Sequence, residues 1–61
     1  MASSIEVKER QKHHLNVLLT IKKANDGNAG PTLEKAIRDA VAVMEQEDVS
    51  WIEKIVGIKA L

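Results

Sequence analysis

One stretch, residues 32–47, constrains the fold of this chain more than any other part of the sequence. At about 100° per residue, its apolar side chains fall within an arc of roughly 160°, opposite its charged side chains. The apolar positions are Leu33, Ala36, Ile37, Ala40, Val41, Val43 and Met44. Gly30 and Pro31 precede the stretch, and Thr32 is a suitable N-cap with Glu34 in the first turn. The pattern predicts an amphipathic helix whose apolar face must be covered.

An earlier helix is predicted for residues 6–25, because residues 9–24 contain no Gly or Pro and many strong helix formers. Its apolar side chains spread over roughly 200° of the helical projection, which is more than one neighbouring helix covers. They are Leu15, Val17, Leu18, Leu19 and Ile21. We therefore expect this helix to contact two surfaces, namely the helix at 32–47 and either a third helix or another subunit.

Two breaks complete the predicted organisation. Residues 24–31 are rich in Gly and Asn and predict an exposed loop between two roughly antiparallel helices. The helix at 32–47 is expected to stop near Glu47, since further residues would place acidic side chains in the apolar arc. Ser50 and Glu53 match a capping box, which predicts a third helix at 50–60 with Gly57 as a left-handed residue near its end. The alternative is one bent helix over residues 33–61.

These elements predict an all-α fold, a single small three-helix domain over residues 1–61 with residues 1–4 disordered. The domain is a helical hairpin followed by a short C-terminal helix. With no cysteine, neither a disulfide nor a thiolate metal site can stabilise so small a core. We therefore expect a symmetric homodimer, with Leu15, Leu18 and either Val17 or Ile21 at the seam. The alternative is a monomeric bundle in which the third helix covers the excess apolar arc.

The residues that often carry chemistry do not form a reactive pattern. His13 and His14 are adjacent and point about 100° apart on a helix, so they are not a chelating pair; we expect His13 to be solvated and His14 to be partly buried. The carboxylates of Glu45, Glu47 and Asp48 suit a solvated turn better than a catalytic pocket. We predict that the protein is not an enzyme and uses no metal or cofactor.

Charge and hydropathy narrow the choice of partners. Nine basic and nine acidic side chains balance, so no overall field attracts nucleic acid or a membrane. No apolar run approaches the roughly 20 residues of a membrane span, and the first residues lack the apolar core of a signal peptide. A cytoplasmic protein is the expectation.

The apolar helical faces favour protein as the partner. We predict a non-enzymatic regulatory or adaptor protein, such as an inhibitor or accessory factor of bacterial or mobile-element origin. Trp51, the one aromatic residue, either fills the core or anchors a partner, because Trp is enriched at binding hot spots. The candidate residues for partner binding or dimerisation are Leu15, Val17, Leu18, Ile21, Trp51, Ile52 and Val56.

An alternative comes from a family resemblance. The alternating segment at 5–8, a helix at 11–24 and an amphipathic helix at 33–46 resemble the element order of ribbon-helix-helix DNA-binding proteins. In that family two short strands pair across a dimer and enter the major groove. The resemblance implies a transcriptional regulator in which Glu6, Lys8 and Arg10 read bases. Residues 51–61 have no counterpart in that order, and nucleic acid is not the favoured partner.

Overall fold

A computed structural model describes residues 3–61, and this part of the chain is a small all-helical domain without strands. Three helices follow one another: α1 is Ser4–Ala24, α2 is Pro31–Ala42 and α3 is Gln46–Val56. The predicted all-α, three-helix architecture is confirmed.

The start of α1 is capped by a side chain. The main-chain amide of Glu6 donates to Ser3 Oγ at 3.1 Å, which satisfies one of the free amides of the first turn. Disorder was expected for residues 1–4, but Ser3 is the N-cap and Ser4 the first residue of α1. Residues 1–2 lie outside the described part of the chain. Residues 5–8 are helical, so the alternative of a short strand there is wrong.

The loop between α1 and α2 turns by means of two left-handed residues. Asp26 and Gly27 have φ values of 57° and 83°, and the Gly27 amide donates to the Lys22 oxygen at 2.9 Å. The predicted loop is confirmed; Asn25, Gly27 and Asn28 were the alternatives for its left-handed residue, and the structure has Gly27 together with Asp26, which the sequence had not indicated. α2 begins at Pro31 with Gly30 as its N-cap, so the predicted Thr32 cap is wrong. Proline suits the first helical position because the amide it lacks would have no partner there.

A break separates α2 from α3, so the alternative of one bent helix is wrong. α2 ends at Ala42, five residues before the predicted end, and α3 begins at Gln46. Glu47 and Asp48 lie in the first turn of α3, where the helix dipole favours negative charge. Ser50 therefore lies inside α3, and the predicted capping box is wrong. Gly57 ends α3 in the left-handed conformation at φ 87°, as predicted.

α1 is the central element of the domain. It packs against both α2 and α3, whereas α2 and α3 contact each other little. The buried core takes side chains from all three helices and from the segment after α3, namely Leu15, Leu19, Ile37, Ala40, Val49, Ile52 and Ala60. The second surface that α1 was predicted to contact is thus α3 of the same chain.

Candidate functional site

Four of the seven predicted interface residues belong to the core of the domain. Leu15 is 0% exposed and Ile52 is 2% exposed, while Leu18 and Val56 are partly buried against the same cluster. Leu15 has no exposed surface because it lies in the core of its own chain, so it cannot form the predicted dimer seam. Leu18 can contribute only its remaining exposed edge to a partner.

The other side of α1 carries apolar side chains that no helix covers. Val17 and Ile21 are 43% and 44% exposed and stand one helical turn apart, so they share a face. Val7 lies on the same side three turns earlier and is also exposed. We call Val7, Val17 and Ile21 the α1 stripe. Val7 was not among the predicted interface residues, although its spacing of 14 residues from Ile21 places both on one face.

Trp51 is the largest exposed apolar side chain, with 55% of its surface accessible, so the alternative that it fills the core is wrong. The register of α3 explains this. Val49, Ile52 and Val56 follow the spacing of one helical face and point at α1. Trp51 then points about 100° or more away from that face, since each residue advances the helix by about 100°.

Trp51 does not stand alone on α3. Ile55 follows it one turn later and is 52% exposed, so the two side chains form an apolar pair, which we call the Trp51 surface. Apolar spacing alone would place Ile55 on the inner face of α3 with Ile52 and Val56. Its spacing of four residues from Trp51 was the signal that pointed to the outer face instead.

A cation borders the Trp51 surface. The Lys12 ammonium lies 5.3 Å from the centroid of the Trp51 ring, within the range of a cation–π interaction. The same ammonium lies 3.3 Å from Glu9 Oε1, in an ion pair whose carboxylate is largely exposed. A shallow groove runs between α1 and α3 here, and its polar wall includes His13 and Asn16. The surface thus combines the exposed face of an indole ring with the Lys12 ammonium and polar side chains along one edge.

In the part of the chain that the structure describes, neither His13 nor His14 belongs to a group of side chains that could bind a metal ion. His13 is exposed at the groove, as expected, and His14 is also exposed, so its predicted partial burial is wrong. Within residues 3–61 no group of three or more His, Cys, Asp or Glu side chains is arranged to hold a metal ion. The same residues include no buried polar or charged side chain. Glu45, the N-cap residue of α3, forms an exposed ion pair of 3.4 Å with Lys8 of α1.

The residues of the ribbon-helix-helix alternative do not form a ribbon. Glu6, Lys8 and Arg10 all lie in the first turns of α1. Lys8 points about 160° away from both Glu6 and Arg10 on the helical projection, and its ammonium contacts Glu45. The three side chains therefore do not share a surface, and the paired strands that this resemblance implies do not form in the described part of the chain.

Comparison of the chain with protein-family models, with curated proteins and with solved structures finds no match. Among the described residues, no helix is both long enough and apolar enough to cross a membrane. The functional interpretation therefore depends on the geometry of the two exposed apolar surfaces.

Proposed function

We propose that this protein is a small, non-enzymatic regulatory or adaptor protein that acts in the cytoplasm by binding another protein through the Trp51 surface. The observation that carries the proposal is the exposure of Trp51, the single aromatic residue of the chain. A chain with so small a core gains from burying its largest apolar side chain, yet the fold directs this one outward. Binding to a partner would recover that burial.

The surroundings of Trp51 suit a protein interface. Trp is among the residues most enriched at binding hot spots, where polar groups around the anchor exclude water. Here Ile55 enlarges the apolar area, and Lys12, paired with Glu9, supplies a charge beside it. The ammonium beside the ring would favour a partner that carries an acidic group next to its apolar contact.

A capture experiment with matched variants tests the proposal. The wild-type chain, Trp51→Ala and Val43→Ala are immobilised in parallel and exposed to extract of the source cell. Val43 is exposed on the turn after α2, is not one of the two residues of the Trp51 surface, and serves as the control. A protein retained by wild type and Val43→Ala but lost from Trp51→Ala is then purified and its affinity measured directly.

With the purified partner, Trp51→Ala should weaken binding by at least about 30-fold, the effect of losing a hot spot worth 2 kcal/mol or more. Equal affinity of Trp51→Ala and wild type would refute the proposal. Retention of the chain on duplex DNA, with an affinity for DNA that falls steeply as salt rises, would instead support the DNA-binding alternative. Such salt dependence is expected because phosphate contacts release counterions.

The α1 stripe supports a second proposal, that two copies of the chain associate. Val17 and Ile21 leave apolar area on the outside of α1, and a two-fold axis along this face would bury both pairs at once. Leu15 is buried in the core of its own chain and is not available to a second copy. The proposed seam is therefore Val17 and Ile21 with the open edge of Leu18.

A further inference from the structure

The segment after α3 folds back over the domain and closes a gap between two helices. α2 and α3 contact each other little, and residues 59–61 adjoin both of them. Ala60 is 3% exposed and belongs to the core cluster. Its residues 59–61 line one shallow pocket together with Val41 of α2 and Val49 of α3, and Ala60 shares the core cluster with Val49. We call residues 58–61 the strap.

Polar side chains hold the strap through its main chain. Lys22 Nζ on α1 donates to the carbonyl oxygens of Lys59 and Ala60, at 3.2 and 3.3 Å. The Ala60 amide donates to Glu53 Oε2 on α3 at 2.7 Å. Both charged partners sit at or near the surface, so water can replace them when the strap leaves.

The apolar contribution of the strap is small by comparison. Ala60 buries only a methyl group, Ile58 is half-buried, and Lys59 and Leu61 are exposed. The contacts of α1 with α2 and with α3, in contrast, bury large side chains such as Leu15, Leu19 and Ile37. Segments with few buried apolar contacts open at lower free energy than the core of the same protein.

We propose that the strap is releasable: it detaches about Gly57 while the three helices stay folded, and thereby uncovers the groove between α2 and α3. Gly57 is suited to be the hinge because its left-handed conformation, φ 87°, carries no side-chain penalty. Release exposes the valine side chains at the groove, Val41 and Val49. This device lies apart from the Trp51 surface and does not depend on the function proposed for it.

Amide hydrogen exchange of the full chain, followed by NMR, tests the proposal. The reporters are the amide of Ala60 for the strap and the amide of Leu19 for the core. The informative variant is Lys22→Met, which keeps the aliphatic stem but removes the ammonium. Lys22 bonds the carbonyl oxygen of Ala60, whereas the N–H group of Ala60 donates to Glu53. Faster exchange of that N–H group in Lys22→Met would therefore report opening of the strap as a unit. Lys35→Met, which changes an exposed lysine of α2 that takes no part in these contacts, is the matched control.

In the wild type, the Ala60 amide should exchange at least about tenfold faster than that of Leu19, yet slower than in an unfolded chain. Lys22→Met should accelerate exchange of the Ala60 amide by at least about tenfold, as expected for a lost hydrogen bond from a charged group, and should leave Leu19 within about twofold. Equal exchange of Ala60 and Leu19 would overturn the proposal, as would a Lys22→Met effect that is absent or the same at both amides.

Uncovering of the groove has its own readout. In the double variant Lys22→Met/Glu53→Ala, a soluble paramagnetic probe should broaden the Val49 methyl signals more than in the wild type. The Ile37 methyl signals, from a side chain 1% exposed in the core, should not change. Unchanged Val49 broadening, or equal broadening of Val49 and Ile37, would contradict a release that spares the helices.

Discussion

The ammonium of Lys23, near the end of α1, donates a 2.6 Å hydrogen bond to the main-chain oxygen of Val56, the last residue of α3. A cation at this place is favourable because the last carbonyls of a helix have no partner within it and carry its negative pole. The contact ties the C-terminal end of α1 to that of α3. It also limits which residue can follow Val56.

Replacement of Gly57 by alanine should destabilise the domain. A Cβ at this position would lie 2.9 Å from Lys23 Nζ, and φ of 87° is unfavourable for any side chain. We expect a loss of about 1–2 kcal/mol in the free energy of unfolding, the usual penalty of a left-handed residue with a side chain. Urea unfolding followed by circular dichroism measures it. Gly30→Ala is the control, because that position has ordinary backbone angles and open space around it. Equal effects of the two substitutions would contradict the assignment.

Two isoleucines of α3 should respond differently to the same small truncation. Ile52→Val removes a methylene from a side chain 2% exposed, which costs about 0.5–1.5 kcal/mol in a packed core. Ile55→Val alters a side chain 52% exposed and should stay within about 0.5 kcal/mol of wild type. Thermal and urea unfolding of the pair compare them directly. A larger loss for Ile55→Val would mean that α3 is rotated from the register described above.

The fluorescence of the single tryptophan reports the position of Trp51. Since more than half of the side chain is accessible, its emission should lie at the long wavelength of a hydrated indole and be quenched readily by acrylamide. Lys12→Met should change the emission, because the ammonium lies over the ring. Short-wavelength emission that resists quenching, even in dilute solution, would show that the ring is buried within the domain.

Self-association through the α1 stripe should be lost in Ile21→Glu. The side chain is 44% exposed, so a charge there leaves the folded chain intact but places two carboxylates at the proposed two-fold seam. Sedimentation equilibrium at micromolar concentrations should show dimers for wild type and monomers for the variant. Ile5→Glu, on another side of α1, is the control. A wild-type mass that stays at 6.7 kDa over the whole range would rule out the dimer.

Several features were predictable because their signals are local. The glycine and asparagine residues of the 24–31 segment predict the first break, and Gly57 predicts the end of α3. The apolar periodicity of residues 33–44 likewise anticipates the burial of Ile37 and Ala40. Local signals were less reliable at the ends of helices. Ser50 matched a capping pattern, yet the acidic residues before it already form the first turn of α3.

The sequence by itself determined that this chain is helical, where it breaks, and that its helices have apolar faces. Only the tertiary structure decided which of those apolar side chains are covered. The arc of α1 was wider than one helix covers, but whether α3 or a second copy lies on Leu15 depends on how the helices dock. The same docking turns Trp51 outward and lets the strap enter the gap between α2 and α3. Periodicity describes one helix about its own axis, whereas burial depends on contacts between residues far apart in the chain.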